Sequence, residues 1–345
     1  MSFQATTWFV TGSTGLVGSS VVKKLRQDDF AVIALVRKNS PQHVVDWLLE
    51  LDVKIVVGDI LEKESYESYI ATCDVVVHCA ALVGSDSKKS NWEVNVEGTR
   101  VLLNVMKDFG IDRLIHISTC GIYGSTGDHT VDEDRTPKPV GQYSKSKYAA
   151  ENLILNEFKN LSVTIFRPPY IIGDVKFDRR TIPGFVKVMG RRFIPKVLFK
   201  DPAISFVNAQ DLASLVVLVG CRENTVHQIY NIQSFILRYS EIKAMLNRTF
   251  DKKTVLVPLP YFMLKGVAYL VDTLNFLFRK NALKLSTRIF RIKENWTFNT
   301  DRINAEFSWT PSHPEMEQFE IFLIDYKKNI GMMLPEVDIR TLIEV

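Results

Sequence analysis

The sequence predicts an α/β fold, a doubly wound parallel sheet with a smaller, helix-rich C-terminal domain beside it. Three observations predict it. Short, continuously apolar runs alternate with helical stretches from Thr7 to about Phe166, a glycine-rich turn separates the first run from the first helix, and beyond Arg167 the alternation loosens into segments broken by Pro and Gly.

In order, the apolar runs are TWFVT, AVIALV, VKIVVG, DVVVHCA, RLIHIS and SVTIFR, with helices expected from Gly15, from near Asn95 to Phe109, and from Tyr143. Runs that are apolar at every position suit strands covered on both faces, the condition of a parallel sheet between two helix layers. The arrangement is of Rossmann type. After Arg167 come PPYIIG, IPGF and FIPK, then ISFVNAQDLASLVVLV restores a strand followed by a helix, and the chain from about Tyr239 reads as helix-rich without internal repeat. The expected division is interleaved: residues 1–167 plus about 203–235 form the Rossmann domain, and about 168–202 plus 236–345 form a substrate-binding domain.

Composition narrows the function. With 345 residues and 46% hydrophobic content the chain can fill a large core. A formal charge of +4, with Lys and Arg spread along most of the chain, gives nucleic-acid binding little support, and no nucleic-acid partner is expected. Cys73, Cys79, Cys120 and Cys221 form no CxxC pair, and three lie within or beside apolar runs. Reduced thiols, no metal site and a cytoplasmic location follow as expectations. The first strand begins within a few residues of Met1, so no secretory leader is expected.

The segment TWFVTGSTGLVGSSVVKKL places Gly12, Gly15 and Gly18 between a strand and an amphipathic helix. Glycine allows the tight turn and lets backbone approach a pyrophosphate, which the positive end of the helix stabilises. Thr14, Leu16 and Val17 belong to the same cradle. A second GxxGxxG, at Gly121, Gly124 and Gly127, runs into the acidic DHTVDEDR and is read as a loop. Where the second run ends, Arg37 and Lys38 follow Val36; cations there suit the 2′-phosphate of NADP(H), which is favoured, with NAD(H) as the alternative. Asp59, followed by Ile60, closes the third run, where a carboxylate can accept from the adenine amino group.

Proton chemistry is expected in QYSKSKYAAENL. Tyr143 and Lys147 are four apart on a helix and so share one face. An ammonium and a cationic nicotinamide both favour the phenolate, bringing a phenol of ordinary pKa near 10 toward a useful range. Tyr239 with Lys243 and Tyr261 with Lys265 repeat the YxxxK spacing but fall outside the doubly wound segment. Tyr143 follows the strand RLIHIST, whose end opens onto the crevice where such sheets bind ligands. Ser118 and Thr119 end that strand with hydroxyls able to hold a reacting oxygen; turn capping is their alternative role.

Over residues 7 to 220 the ordered series TGSTGLVG, GDI, VVHCAA, NVEGT, STCGIYG, YSKSK, RPPYIIG and FVNAQDLA resembles the extended short-chain dehydrogenase/reductase family, the epimerase/dehydratase superfamily. FNTDRINAEFSWTP is similar to that family's closing segment. The resemblance implies that Thr119, Tyr143 and Lys147 are the catalytic set, Thr119 matching better than Ser118 because it stands four before Tyr123. It implies that Lys147 also grips the nicotinamide ribose, that His78, Ala80 and Ala81 lie along the cofactor, and that Pro168 and Pro169 sit by the nicotinamide amide. Val83 and Tyr170, with Thr119 and Tyr143, face the substrate, and Asn95 ties a helix to the sheet. A homodimer is compatible with the resemblance.

Two departures separate the chain from the nucleotide-sugar branch. RPPYIIG puts Tyr170 where that branch commonly has an Asn touching the diphosphate, and ISFVN offers Ile204 and Ser205 where it often has an Arg. The look is closer to dihydroflavonol reductases and 3β-hydroxysteroid dehydrogenases. The leading expectation is therefore NADP(H)-dependent interconversion of a secondary alcohol and a ketone on a largely apolar small molecule. The alternatives are an NAD-dependent nucleotide-sugar epimerase or dehydratase and a non-catalytic cofactor-binding subunit or redox sensor.

Residues 258–278 are strongly apolar, yet Lys265 and Asp272 interrupt them and make a poor bilayer span. Arg279, Lys280, Lys284, Arg288, Arg291 and Lys293 follow without an acid. Peripheral membrane contact through about 258–293 is one reading, and a buried helix lining an apolar pocket with a solvated basic face is the other.

Overall fold

The structure, a computed structural model, describes residues 7–83, 90–177, 193–222, 227–251, 253, 255–277, 292–313 and 316–333. The chain runs β1 (Thr7–Thr11), α1 (Leu16–Gln27), β2 (Ala31–Val36), α2 (Gln42–Glu50), β3 (Lys54–Val57), a short α3 (Glu67–Ile70) and β4 (Val75–His78). It continues through α4 (Gly98–Asp108), β5 (Arg113–Ile117), α5 (Gln142–Glu157) and β6 (Ser162–Arg167). Next come β7 (Tyr170–Ile172), β8 (Phe193–Val197), β9 (Ala203–Asn208), α6 (Ala209–Gly220), β10 (Gln228–Asn231), β11 (Phe235–Arg238) and α7 (Tyr239–Phe250). The described chain closes with β12 (Val255–Leu259), α8 (Tyr261–Leu277), α9 (Asp301–Phe307) and α10 (Glu317–Met333).

Seven parallel strands form one sheet in the order β10-β6-β5-β4-β1-β2-β3. The strand order reverses between β1 and β4, and open sheets of this kind bind ligands beyond the strand ends at that point. Alternate residues of each strand enter different cores. Trp8 and Val10 of β1 join a cluster under α1 and α6, while Phe9 joins one under α3, α4 and α5. Fully burying an apolar side chain of this size contributes about 1.5–3 kcal/mol, so doubly covered strands are uniformly apolar for an energetic reason.

The smaller elements depart from the sequence reading in detail. PPYIIG and ISFVN become β7 and β9, which pair in parallel, and β11 adds antiparallel to β9 in a separate three-stranded sheet. Phe206, Phe235 and Phe319 pack there beneath α7 and α10. Directly after β9 the chain returns to the large sheet: α6, capped by the Asn208 side chain accepting from Gln210 N at 2.9 Å, packs along α1. FIPK, read as irregular, is strand β8, paired in parallel with β12. The apolar stretch after Pro258 is not all helix, because β12 extends to Leu259 and α8 starts at Tyr261.

Candidate active site

The glycine turn is built by close approach. Gly12 has φ +69°, and a Cβ on it would stand 2.7 Å from the Ala80 backbone nitrogen, so a side chain would push β1 away from the end of β4. A Cβ on Gly18 would strike the Gly12 carbonyl; α1 therefore begins directly against the turn. Gly15 differs, since its Cβ would meet only Gly12 O at 3.4 Å. The first turn of α1 carries no acid and no side-chain cap. Thr14, Leu16 and Val17 flank this half-buried helix start. Free backbone donors at a helix N-terminus, with no Cβ in the way, fit a dinucleotide pyrophosphate.

Arg37 and Lys38 are exposed at the end of β2, where Gly58 N donates to Val36 O at 3.0 Å and keeps the β3 exit alongside. Asp59 is half-buried, its Oδ1 accepting from Leu61 N at 3.1 Å. The Ile60 side chain is buried against Gly98 of α4, so it faces the core.

His78, at the end of β4, is sunk beneath the crevice. Ala80 N donates to Thr11 Oγ1 at 3.2 Å, Thr11 Oγ1 lies 2.8 Å from His78 Nδ1, His78 Nε2 lies 3.0 Å from Thr99 Oγ1, and Thr99 Oγ1 donates to Asn95 O at 2.7 Å. The two ends of this chain assign the proton to Nε2. Burial first, and the Lys147 charge second, push the imidazole down to about 3, so it is neutral. Its work is to hold β1, β4 and α4 together, while Ala80 and Ala81 are half-buried above it and Val83 is exposed. Asn95 sits in a π-helical turn, Glu93–Glu97; its side chain accepts from Leu82 N at 2.7 Å and donates to Ser146 Oγ at 2.9 Å. It joins the β4 exit to α5.

At the end of β5, Thr119 caps a 3-10 turn, Cys120–Tyr123, by accepting from Gly121 N at 3.0 Å. That leaves its own O–H to donate elsewhere. Ser118 is buried, with a side-chain oxygen that has no hydrogen-bond partner among the described residues. Gly121 brings this turn against the start of α5, where a Cβ would lie 2.8 Å from Ser144 Oγ. Tyr143 and Lys147 stand one turn apart on α5. Tyr143 is half-buried, and burial alone pushes its phenol up to about 12. Lys147 is buried, and desolvation lowers it to about 8 against the opposing pull of Glu151. Its Nζ lies 3.1 Å from His116 Nε2 on β5. The sequence reading had this ammonium lowering the phenol's pKa; in the structure it is engaged from the sheet side, and a phenolate needs further positive charge.

Beneath the pair lies a buried polar network. Glu151, one turn past Lys147, accepts from Arg167 at 2.7 Å and 3.2 Å; Arg167 donates to Tyr123 OH at 2.8 Å, and Tyr123 donates to Asn231 at 2.8 Å. It fixes α5 to β6 and β10. Pro168 O accepts from Cys120 N at 2.9 Å, setting Pro168 and the half-buried Pro169 beside the β5 turn. Tyr170 is half-buried on β7, 5.8 Å from the Phe206 ring.

The glycine turn, the β4 exit, the β5 turn and the α5 pair therefore meet at the C-terminal end of the large sheet. A groove lined by Thr7, Arg26, Asp52 and Lys54 lies at the opposite end, remote from this chemistry. Sequence reasoning missed His116, Glu151 and Arg167. Their signals were present: a polar residue inside the run RLIHIS, an acid four after Lys147, and an Arg closing SVTIFR.

Residues 8–232 match the family described as NAD dependent epimerase/dehydratase. Sterol demethylase protein B of Methylococcus capsulatus is 27% identical over 278 residues, 78% of this chain and 82% of that protein. An Escherichia coli O157:H7 protein, N-acetyl-alpha-D-glucosaminyl-diphospho-ditrans,octacis-undecaprenol 4-epimerase, is 24% identical over 72% of this chain and 76% of its own. The solved dTDP-glucose 4,6-dehydratase of Bacillus anthracis, in complex with NAD, superposes with a TM-score of 0.73 at 20% identity, covering 96% of this chain and 99% of that one, which shows a shared fold.

Proposed function

Because the chain belongs to the NAD dependent epimerase/dehydratase family, we propose that it oxidises a secondary hydroxyl of a nucleotide-sugar substrate and re-reduces the ketone in the same site, the chemistry of an epimerase. The carrying observation is Tyr143 and Lys147, one turn apart on α5, beside the Thr119 turn at the end of β5. A relative named a putative UDP-glucose 4-epimerase supports this substrate class over the apolar ketone read from the sequence.

A nicotinamide dinucleotide, held by the glycine turn and the start of α1, would supply the hydride acceptor and, when oxidised, a positive charge. Thr119 donates its free O–H to the substrate oxygen and holds it toward Tyr143. The Tyr143 phenolate would take the proton of the substrate hydroxyl during oxidation and return it to the oxygen during re-reduction. Lys147, largely protonated at neutral pH, adds charge beside the phenol. Removal of water would require a further acid and base. The residues after Thr119 are Cys120 and Gly121, and the Cys120 thiol, driven well above its ordinary value by burial, donates to Arg167 O. That supports epimerisation over dehydration.

A second reading, reduction of an apolar ketone with NADPH, is favoured by Arg37 and Lys38 at the end of β2 and by Tyr170 in the substrate region. The likeness to a sterol demethylase protein supports it too. Native mass spectrometry of the purified protein, followed by incubation with nucleotide sugars, separates the two. Retained NAD and interconversion of sugar epimers without net cofactor turnover supports the epimerase; stoichiometric NADPH consumption with a ketone and no epimerisation overturns it.

A further inference from the structure

The geometry points to a docking surface for an anionic lipid bilayer on the unit formed by β8, β12 and α8, separate from the reaction site. Helix α8 is turned inside out. Phe262, Met263, Val267, Leu270, Leu274 and Leu277 share one stripe and are exposed, Phe262 at 74% and Leu277 at 66%. Among its described side chains, only those of Leu264 and Ala268 are buried, against Val197. Lys265 and Asp272, the charged residues of the helix, lie off that stripe on the side of the buried pair. A surface helix of a globular protein shows the reverse pattern. Contiguous exposed apolar patches mark interaction sites, whereas scattered single residues do not.

Phe199 adds an exposed aromatic ring to the same unit. It follows β8 at φ +58°, a conformation costly for an aromatic residue, and is 94% exposed. Phe193 and Val255 are register partners across β8 and β12, and both are exposed. This unit thus presents apolar side chains from a loop, a sheet edge and a helix.

Charge selects the occupant. The chain's 43 Lys and Arg against 39 Asp and Glu give +4 overall, but 16 of the cations and 3 of the acids fall in residues 178–200 and 251–293. Those two segments carry +13 and the rest of the chain carries −9. In the sequence they adjoin the apolar unit, before Phe193 and after Leu277, and 11 of the 16 cations lie outside the described residues. An apolar stripe flanked by cations is the pattern of interfacial attachment to anionic lipid. A nucleic acid would use the charge but not the stripe, and a second copy would meet the same excess of positive charge. No helix among the described residues is long and apolar enough to cross a membrane, so attachment is peripheral.

Flotation of the full-length protein with phosphatidylcholine vesicles, with and without 30% phosphatidylglycerol, at about 0.05 M and 0.5 M salt tests the surface. The expected result is recovery with anionic vesicles at low salt, at least tenfold less recovery with neutral vesicles or high salt, and a similar loss for Leu270→Glu. Leu270 is exposed, so the variant is expected to keep the parent melting temperature and cofactor-induced thermal shift. Absence of flotation with anionic vesicles at low salt overturns the surface. So does equal flotation of parent and Leu270→Glu, or a lipid-free dimer that the substitution splits.

Discussion

Lys147 Nζ stands 3.1 Å from His116 Nε2, so the ammonium one turn along from Tyr143 is gripped by a strand residue at the floor of the site. For Nε2 to accept, the imidazole proton must sit on Nδ1, which is buried without a partner among the described residues. Burial and the Lys147 charge hold His116 well below its ordinary value, so it stays neutral and remains an acceptor. One hydrogen bond thus fixes the position of the cation that Tyr143 relies on.

His116→Phe keeps a ring of similar size and removes that acceptor. A hydrogen bond to a charged group contributes about 1.5–3 kcal/mol, which corresponds to roughly a 10–100-fold fall in kcat if the cation is misplaced. Cofactor affinity is expected to change little. Steady-state kinetics with cofactor titration checks this; an unchanged kcat contradicts a positioning role for His116.

Lys147 is expected to titrate near 8 in the free protein, well below an ordinary lysine. Between about 8 and its ordinary value the unfolded chain holds a proton that the native protein has released, so this site makes the native state gain stability as pH rises through that window. The gain is absent below the folded pKa. Carbon-13 NMR of the labelled lysine ε-carbon reads the midpoint, and Lys147→Met should remove this part of the pH dependence of denaturant unfolding. A midpoint in the ordinary lysine range contradicts the burial described.

Glu151 and Arg167 form a buried bidentate pair beneath the site. Removing one partner leaves an uncompensated charge, which costs about 3–5 kcal/mol. Glu151→Leu is expected to lower unfolding free energy by that amount, measured by urea denaturation. A loss below about 1 kcal/mol would place the network in water.

Gly18→Ala sets a methyl group against the Gly12 carbonyl. Overpacking of this kind costs about 1–3 kcal/mol, and here the displaced backbone is the cofactor cradle. Both the melting temperature and the cofactor-induced thermal shift should fall. Gly15→Ala, whose methyl group would meet only Gly12 O at ordinary contact distance, should leave the melting temperature near the parent's and weaken only cofactor binding.

Much of this arrangement was legible in the sequence because it depends on short-range rules. TWFVT, AVIALV and SVTIFR form β1, β2 and β6 at their expected bounds, since uninterrupted Val and Ile have no other stable place than a doubly covered strand. The glycine turn was legible for the same reason: Gly12 and Gly18, without a Cβ, stand where β1, β4 and α1 crowd together. What was not legible depends on partners far apart in the chain. FIPK reads as irregular because Pro195 interrupts it, and it becomes a strand only by pairing with β12, some sixty residues later. The Lys147–His116 contact joins a helix to a strand 31 residues away, and no spacing rule within either element announces it.

The most direct test of the central claim is the kinetics of Tyr143→Phe. The ring remains and only the hydroxyl is lost, so the account expects kcat to fall by at least about a thousandfold while thermal shifts with NAD and NADP stay within error of the parent protein. Full activity in that variant would contradict it.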